Sequence, residues 1–300
     1  MKLAILIPAF NESGMIQKTI AQLLALTPRL QEMGVELQVF VVDDGSTDNT
    51  RQLALEAGAH QVVEHAVNMG LGAAVRSGLL AAREADCDIA VKFDADLQHD
   101  PADIPVLIQP IVSNRADLVY GNRFERISYR MPLMRRMGNL VFTRLTRWLT
   151  HWPIQDGQPG IFAANRRYLS QFYLPGDYNY TQQILVDAFH KGMRFAQIPV
   201  AFRPRTTGHS FISLKYPFKV LGQVFMLMAA LRPLRVFGSL GFFFIFLGSA
   251  IAIGEILSWW QGLGDKPVQH VNAVMALLFF GLQTFFFGVL AHLIMELRKK

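Results

Sequence analysis

A single cysteine, Cys87, in a chain of 300 residues excludes an intrachain disulfide framework. Charged residues are scarce at 17%, hydrophobic types reach 51%, and the mean hydropathy is +0.25. Such a chain is too apolar for disorder and more apolar than an ordinary soluble domain. A basic stripe is also missing, despite a formal charge of +6. Residues 214–300 carry eight Lys/Arg against three acids, whereas residues 1–213 carry twenty-one against twenty. The excess sits beside the apolar tail, where anionic lipid is the expected partner and nucleic acid is not. There is no Gly-Lys-Ser/Thr of a Walker A loop and no His/Cys cluster of metal-ligand spacing. The N-terminal apolar run, residues 3–7, is stopped by Pro8 and is too short for a secretory signal; it reads as a buried strand.

What is present is alternation. Strand-like runs at 3–7, 37–42, 61–64, 89–93 and 117–121 are separated by helical patterns at 13–26, 48–57, 71–84 and 102–113. This order predicts an α/β domain over residues 1–213, with a mostly parallel sheet and its ligand beyond the carboxyl ends of the strands. The tail differs. Residues 236–254 and 271–295 carry no formal charge, and each is long enough to cross a bilayer. Gly262, Gly264 and Pro267 in the link predict a turn, so the tail (236–300) reads as a transmembrane hairpin with spans of about 236–258 and 271–295. Two buried core helices are the alternative. Arg232, Arg235, Arg298, Lys299 and Lys300 at the outer ends place the large domain and both termini on the cytoplasmic side. Between the two parts, 214–235 reads as an interfacial amphipathic helix or linker, with a plain helix packed on the domain as its competitor.

Three polar clusters follow predicted strands. Asp94-Ala95-Asp96-Leu97-Gln98-His99 puts two carboxylates either side of one small residue. In an extended chain positions i and i+2 point the same way, and hard oxygen ligands suit Mg²⁺ or Mn²⁺. Pro8-Ala9-Phe10-Asn11-Glu12 ends the first strand. Val42-Asp43-Asp44-Gly45-Ser46 ends the second, and adjacent buried acids call for partners such as ribose hydroxyls or base N–H groups. Asn68-Met69-Gly70-Leu71-Gly72 enters a helix, either to let a ligand approach or to pack helix against sheet.

These segments, in this order, resemble glycosyltransferase family 2 with its GT-A fold, most closely the polyprenyl-phosphate (dolichol-phosphate) hexosyltransferase branch. The resemblance covers residues 3–211. It implies an inverting membrane enzyme of a bacterial inner membrane that moves a hexose from a UDP- or GDP-sugar to polyprenyl phosphate for cell-envelope glycan. It further implies that Pro8, Ala9, Phe10, Glu12, Val42 and Asp44 line the nucleotide pocket, that Asp94, Asp96 and Gln98 surround the metal, and that Ala95 touches the nucleotide. Arg123, Arg135 and Arg205 are the implied phosphate ligands, with Asp94, Asp96 and Arg123 the catalytic set; a solvated or carboxylate-paired surface arginine is the alternative for each. The sequence departs from the family pattern at Gln158-Pro159-Gly160, Asn179, Gln183 and Phe211, which lowers the positive charge expected near the phosphates. A processive synthase is a rival, but its Gln-x-x-Arg-Trp is Arg144-x-x-Arg147-Trp148 here. A non-catalytic binding homologue is a second rival. Gly238-x-x-Gly241 could support a homo-oligomer in the membrane.

Overall fold

The computed structural model describes residues 1–124, 139–140, 143–144, 146–148, 150–174, 180–203, 229 and 232–297. It divides into two units, Met1–Phe211 and Ile212–Lys300. Most of the expected segment 214–235, together with Arg135, Asn179, Arg205, Phe211 and residues 298–300, lies outside the described residues.

The first unit is built on a seven-stranded sheet: β1 (Lys2–Ala9), β2 (Glu36–Asp43), β3 (Gln61–Glu64), β4 (Ile89–Lys92), β5 (Leu118–Asn122), β6 (Phe162–Asn165) and β7 (Phe195–Pro199). The order across the sheet is β3-β2-β1-β4-β6-β5-β7. β1, β2, β3 and β4 are mutually parallel, as are β5 and β7, while β6 runs antiparallel between β4 and β5. The sheet is therefore mixed and mostly parallel. Seven of the eight β1 residues are buried because helices cover both faces. Alternation divides them. Leu3, Ile5 and Ile7 pack with Ile16 and Ile20 of α1 (Ile16–Leu24), and with Leu107 and Ile108 further along the chain. Ala4 and Leu6 pack on the other face with Val75 and Leu79. Each fully buried Ile or Leu side chain stabilises the sheet by about 1.5–3 kcal/mol.

The remaining helices of this unit are α2 (Thr27–Glu32), α3 (Thr50–Glu56), α4 (Leu71–Glu84), α5 (Ile104–Val112), α6 (Arg166–Leu169) and α7 (Tyr180–His190). In α4, a β-carbon on Gly78 would lie 3.3 Å from Leu6 Cβ and Val42 Cγ2. That close approach presses the helix onto β1 and β2.

Asp117, just before β5, ties three strands together. Its carboxylate accepts from the Arg194 backbone N–H (2.8 Å) and guanidinium (2.9 and 3.0 Å), and from Asn165 Nδ2 (2.8 Å). Burial alone would raise its pKa, but the Arg194 hydrogen bonds outweigh burial and hold it at about 2. A carboxylate depressed in the fold stabilises above its unfolded pKa and loses that contribution as pH falls through the folded value. Asp117→Asn is therefore expected to lower the unfolding midpoint at pH 7, by of order 1–2 kcal/mol, with the gap to wild type closing between pH 4 and pH 2. Thermal unfolding followed by circular dichroism across that window checks it; a gap constant with pH would refute it.

The second unit contains α8 (Pro233–Trp260) and α9 (Val271–Leu297), both long and apolar enough to cross a membrane. They pack at glycines. A β-carbon on Gly241 would lie 2.6 Å from the Gly281 carbonyl oxygen, and one on Gly281 would lie 2.8 Å from that of Gly241. Backbone meets backbone there, with Gly248 and Gly288 in similarly tight positions. Gly238-x-x-Gly241 is thus used inside the hairpin. The faces turned away are apolar and aromatic, with Phe242, Phe246, Phe279 and Phe286 exposed. After α8, Gly262 (φ +75°) closes the helix: its N–H donates to Trp259 O (3.0 Å) and Leu263 N–H donates to Ser258 O (2.9 Å). Across the turn, Glu255 Oε2 accepts from the Gln269 and His270 N–H groups (2.8 and 3.2 Å).

Candidate active site

The sheet changes direction at β1, whose neighbours are β2 on one side and β4 on the other. The loops after β1, β2 and β4 gather at this carboxyl end, where open α/β sheets bind ligands. The loops after β1 and β2 are stitched together: Asn11, at φ +54°, donates its N–H to Ser46 Oγ (3.0 Å) and accepts from Thr47 N–H (2.8 Å). The Glu12 N–H donates to Thr50 Oγ1 (2.8 Å). Pro8, Ala9 and Val42 are buried, with Pro8 opposite Val42 in the ladder, while Phe10 projects outward and is 44% exposed.

Asp43 and Asp44 find partners within the protein, so their burial does not by itself call for a ligand. Asp43 Oδ1 accepts from Ser46 N–H (3.0 Å). Asp44 Oδ1 accepts from Met69 N–H (2.9 Å) and lies 2.7 Å from His65 Nδ1, and its Oδ2 accepts from Gly70 N–H (2.8 Å). The far ring nitrogen of His65 is 2.8 Å from Ser77 Oγ. Gly70 needs no Cβ at φ +92°, so the chain turns there into α4. The anion at the start of this helix is thus Asp44.

A cavity of about 460 Å³ opens beside this wall, lined by Met69, Gly70 and Leu71 on one side. Lys92, Asp94, Gln98, Arg123, Gly160 and Tyr180 face it as well. Of the residues expected from sequence, Asp94, Gln98 and Arg123 line it; Pro8, Ala9, Phe10, Glu12, Val42, Asp44, Ala95 and Asp96 are not among its lining residues. A shallower groove of about 520 Å³ lies at the opposite ends of β1, β2 and β4. Its Arg166 is paired with Asp86 and Asp88, so it shows no convergent reactive chemistry.

The acidic segment after β4 is a turn, with Leu97 at φ +52°, because the strand ends at Lys92. Strand alternation therefore does not set the directions of Asp94 and Asp96. Specific bonds do. Asp94 Oδ1 is held by the Lys92 ammonium at 2.5 Å, and Asp96 Oδ1 accepts from Gln98 N–H (3.1 Å). Gln98 Nε2 donates to Arg203 O (3.2 Å), which orients its amide. The Ala95 carbonyl is turned inward and accepts from Thr19 Oγ1 (2.7 Å). Among the described residues no three His, Cys, Asp or Glu side chains cluster as a metal site. The residues present are two carboxylates and one amide, a hard oxygen set that fits Mg²⁺ or Mn²⁺. Room is left beside Asp94: a β-carbon on Gly160 would lie 2.9 Å from Asp94 Oδ2 and would collide with His99 Nε2. His99 is buried against Phe202, ring centroids 5.0 Å apart, and among the described residues neither ring nitrogen has a hydrogen-bond partner of ordinary geometry. Burial lowers its pKa to about 4, so the ring is neutral at neutral pH.

Arg123 forms a fork with Asp156: Nε–Oδ2 is 2.7 Å and Nη2–Oδ1 is 3.0 Å, with a further bond to Gln158 O. The guanidinium also stands 5.2 Å from the Phe202 ring centre. Burial would raise the Asp156 carboxyl, but the adjacent Arg123 charge outweighs it and keeps the pKa below the usual value. Asn139 Nδ2 and Gln158 N–H complete the shell of Asp156, each at 3.0 Å. Lys92 and Tyr180 are the residues that sequence reasoning passed over. A lysine inside the apolar run Ile89-Ala90-Val91-Lys92-Phe93 is itself the missed signal, since a fully buried lysine must be paired. Burial opposes its charge, yet Asp94 and Tyr180 raise its pKa overall.

The chain has relatives. A family model described as Glycosyl transferase family 2 matches residues 4–172. The UDP-N-acetylglucosamine–dolichyl-phosphate N-acetylglucosaminyltransferase of Methanococcus voltae is 31% identical over 217 residues, covering 65% of this chain and 83% of that protein. The dolichol-phosphate mannosyltransferase of Pyrococcus furiosus is 29% identical over 237 residues, covering 76% and 64% respectively. Among solved structures, glucosyl-3-phosphoglycerate synthase of Mycobacterium tuberculosis superposes with a TM-score of 0.59 at 26% identity, over 76% of this chain and 80% of that one; the same enzyme has been solved with Mn²⁺ and UDP-glucose. The mixed sheet, the acidic turn after β4 and the match over more than half of the sequence lead to one assignment: the chain belongs to glycosyl transferase family 2 and carries its GT-A-like fold.

Proposed function

We propose that this glycosyltransferase moves a hexose from a UDP- or GDP-sugar to a polyprenyl phosphate at a membrane surface, with inversion. The observation that carries the reading is the cavity where Asp94, Gln98 and Arg123 converge beside the acidic turn, in a chain that continues into two membrane-length helices. Asp94, Asp96 and Gln98 would hold Mg²⁺ or Mn²⁺, which when bound offsets charge growing on the departing nucleotide diphosphate. Arg123 lines the same cavity and adds a fixed positive charge. Pro8, Ala9, Phe10, Glu12, Val42 and Asp44 are proposed for the nucleoside side of the site, with Phe10 offering an exposed ring. Arg135 and Arg205 are proposed as further phosphate ligands.

The acceptor chemistry suits a site without an evident general base. A phosphate monoester has a second pKa of about 6 and is largely anionic at neutral pH, so no side chain need remove a proton from it. A sugar hydroxyl would need that help. Gln183, where the family carries a glutamate, is compatible with the phosphate. A polyprenyl chain stays in the bilayer, because each CH₂ brought into water costs about 0.8 kcal/mol. Spans at α8 and α9, with Trp259 and Trp260 at one end and Arg232 and Arg235 at the other, would keep the transferase unit within reach of that phosphate on the cytoplasmic side.

Membranes containing the protein, incubated with a panel of labelled UDP- and GDP-sugars and then extracted into organic solvent, test the reading. Label entering the lipid phase from at least one donor, only when polyprenyl phosphate is supplied, is expected. Transfer to a water-soluble acceptor alone, or no turnover of any donor, would refute it.

A further inference from the structure

The Lys92 ammonium donates to Asp94 Oδ1 (2.5 Å) and to the Gly160 carbonyl (2.7 Å), and the Tyr180 side chain lies against it. The side chain rises from β4 and is fully buried, with its nitrogen 5.9 Å from the Tyr180 ring centre. It joins the acidic turn, the 156–160 loop and α7 at one charged atom. Because that atom is buried and held from two sides, Asp94 cannot rotate without breaking an internal ion pair. Its Oδ1 is committed to Lys92, and its Oδ2 faces the bare α-carbon of Gly160.

The charges at the cavity follow from this. Asp94 and Asp96 supply two negative charges, and Lys92 removes one. Arg123 is balanced by Asp156 but still lines the cavity. A divalent ion arriving alone meets only this one net negative charge. The same ion arriving with a nucleoside diphosphate brings phosphate oxygens that the cations attract. We propose that Lys92 is a positioning residue that fixes which Asp94 oxygen is offered to a cation and keeps the affinity for a bare divalent ion low, so that metal enters together with the nucleotide. The inference rests on the reading of Asp94, Asp96 and Gln98 as the metal-facing set.

Mn²⁺ binding to the detergent-purified full chain, read by electron paramagnetic resonance, tests it with Mn²⁺ alone and with UDP or GDP added. In the wild type, Mn²⁺ alone is expected to bind at least about tenfold more weakly than with the better of the two nucleotides. Lys92→Met, similar in length and uncharged, is expected to tighten binding of Mn²⁺ alone by about tenfold and to shrink the nucleotide's effect. A merely structural role predicts the opposite sign, since a loosened site binds metal less well. Folded Lys92→Met protein with unchanged or weaker affinity for Mn²⁺ alone would overturn the inference while leaving the metal site standing. Should that variant fail to fold, the wild-type comparison decides, and equal affinity with and without nucleotide overturns it. A wild type that binds no Mn²⁺ under any of these conditions refutes the metal reading itself, and the role of Lys92 with it.

Discussion

Asp96→Ala is expected to abolish sugar transfer, with a fall of at least about 10³-fold, while the circular dichroism spectrum and unfolding midpoint stay at wild-type values. Its Oδ1 accepts from the Gln98 N–H two residues on, a local bond within one turn, whereas Asp94 neutralises a buried ammonium. Asp94→Asn is expected to lose activity to a similar degree and stability as well. There the buried Lys92 charge loses its carboxylate, and a hydrogen bond to a charged group contributes about 1.5–3 kcal/mol. The contrast makes the pair informative: transfer should fall in both variants, and thermal stability in only one. Undiminished turnover in Asp96→Ala would remove the metal assignment.

The second large effect lies behind the cavity. Asp156→Ala should destabilise the domain by about 3–5 kcal/mol, because the buried Arg123 guanidinium would lose its forked carboxylate partner. Joint replacement, Arg123→Met with Asp156→Leu, should recover much of that stability and none of the activity, since apolar pairs often substitute for buried ion pairs. Unfolding midpoints in urea for the single and double variants measure this. Equal stability of wild type and Asp156→Ala would show that the ion pair does not hold the loop.

Much of the fold could be read before any coordinates. Helix α4 runs over residues 71–84 as its spacing predicts, and β3 over 61–64, since strong periodicity bounded by glycine leaves little freedom. The spans came within a few residues at each end. Strands β6 and β7 escaped notice for a physical reason. Phe162-Ala163-Ala164-Asn165 is short and poor in β-branched residues, and it becomes a strand because β4 and β5 offer edges on both sides. Residues 13–26 were expected as one helix; the chain instead starts α1 at Ile16, ends it at Leu24, and opens α2 with Pro28 in its first turn.

The site was legible in its composition and less so in its wiring. Asp94, Gln98 and Arg123, three of the residues singled out from sequence, line one cavity. Which acids need a ligand could not be read from adjacency, because the partners of Asp44 come from residues 65–70, brought near only by folding. Arg123 shows the same limit, as its partner Asp156 lies thirty-three positions away.

The contact between Gly241 and Gly281 reaches beyond the hairpin. With Gly241 and Gly281 spent on holding the two helices to each other, a second copy of the chain would meet an outward face made mostly of Phe, Leu and Ile side chains. Such side chains compete with lipid tails on nearly equal terms, so self-association would be sensitive to bilayer thickness and acyl composition, whereas the fold of each hairpin would not.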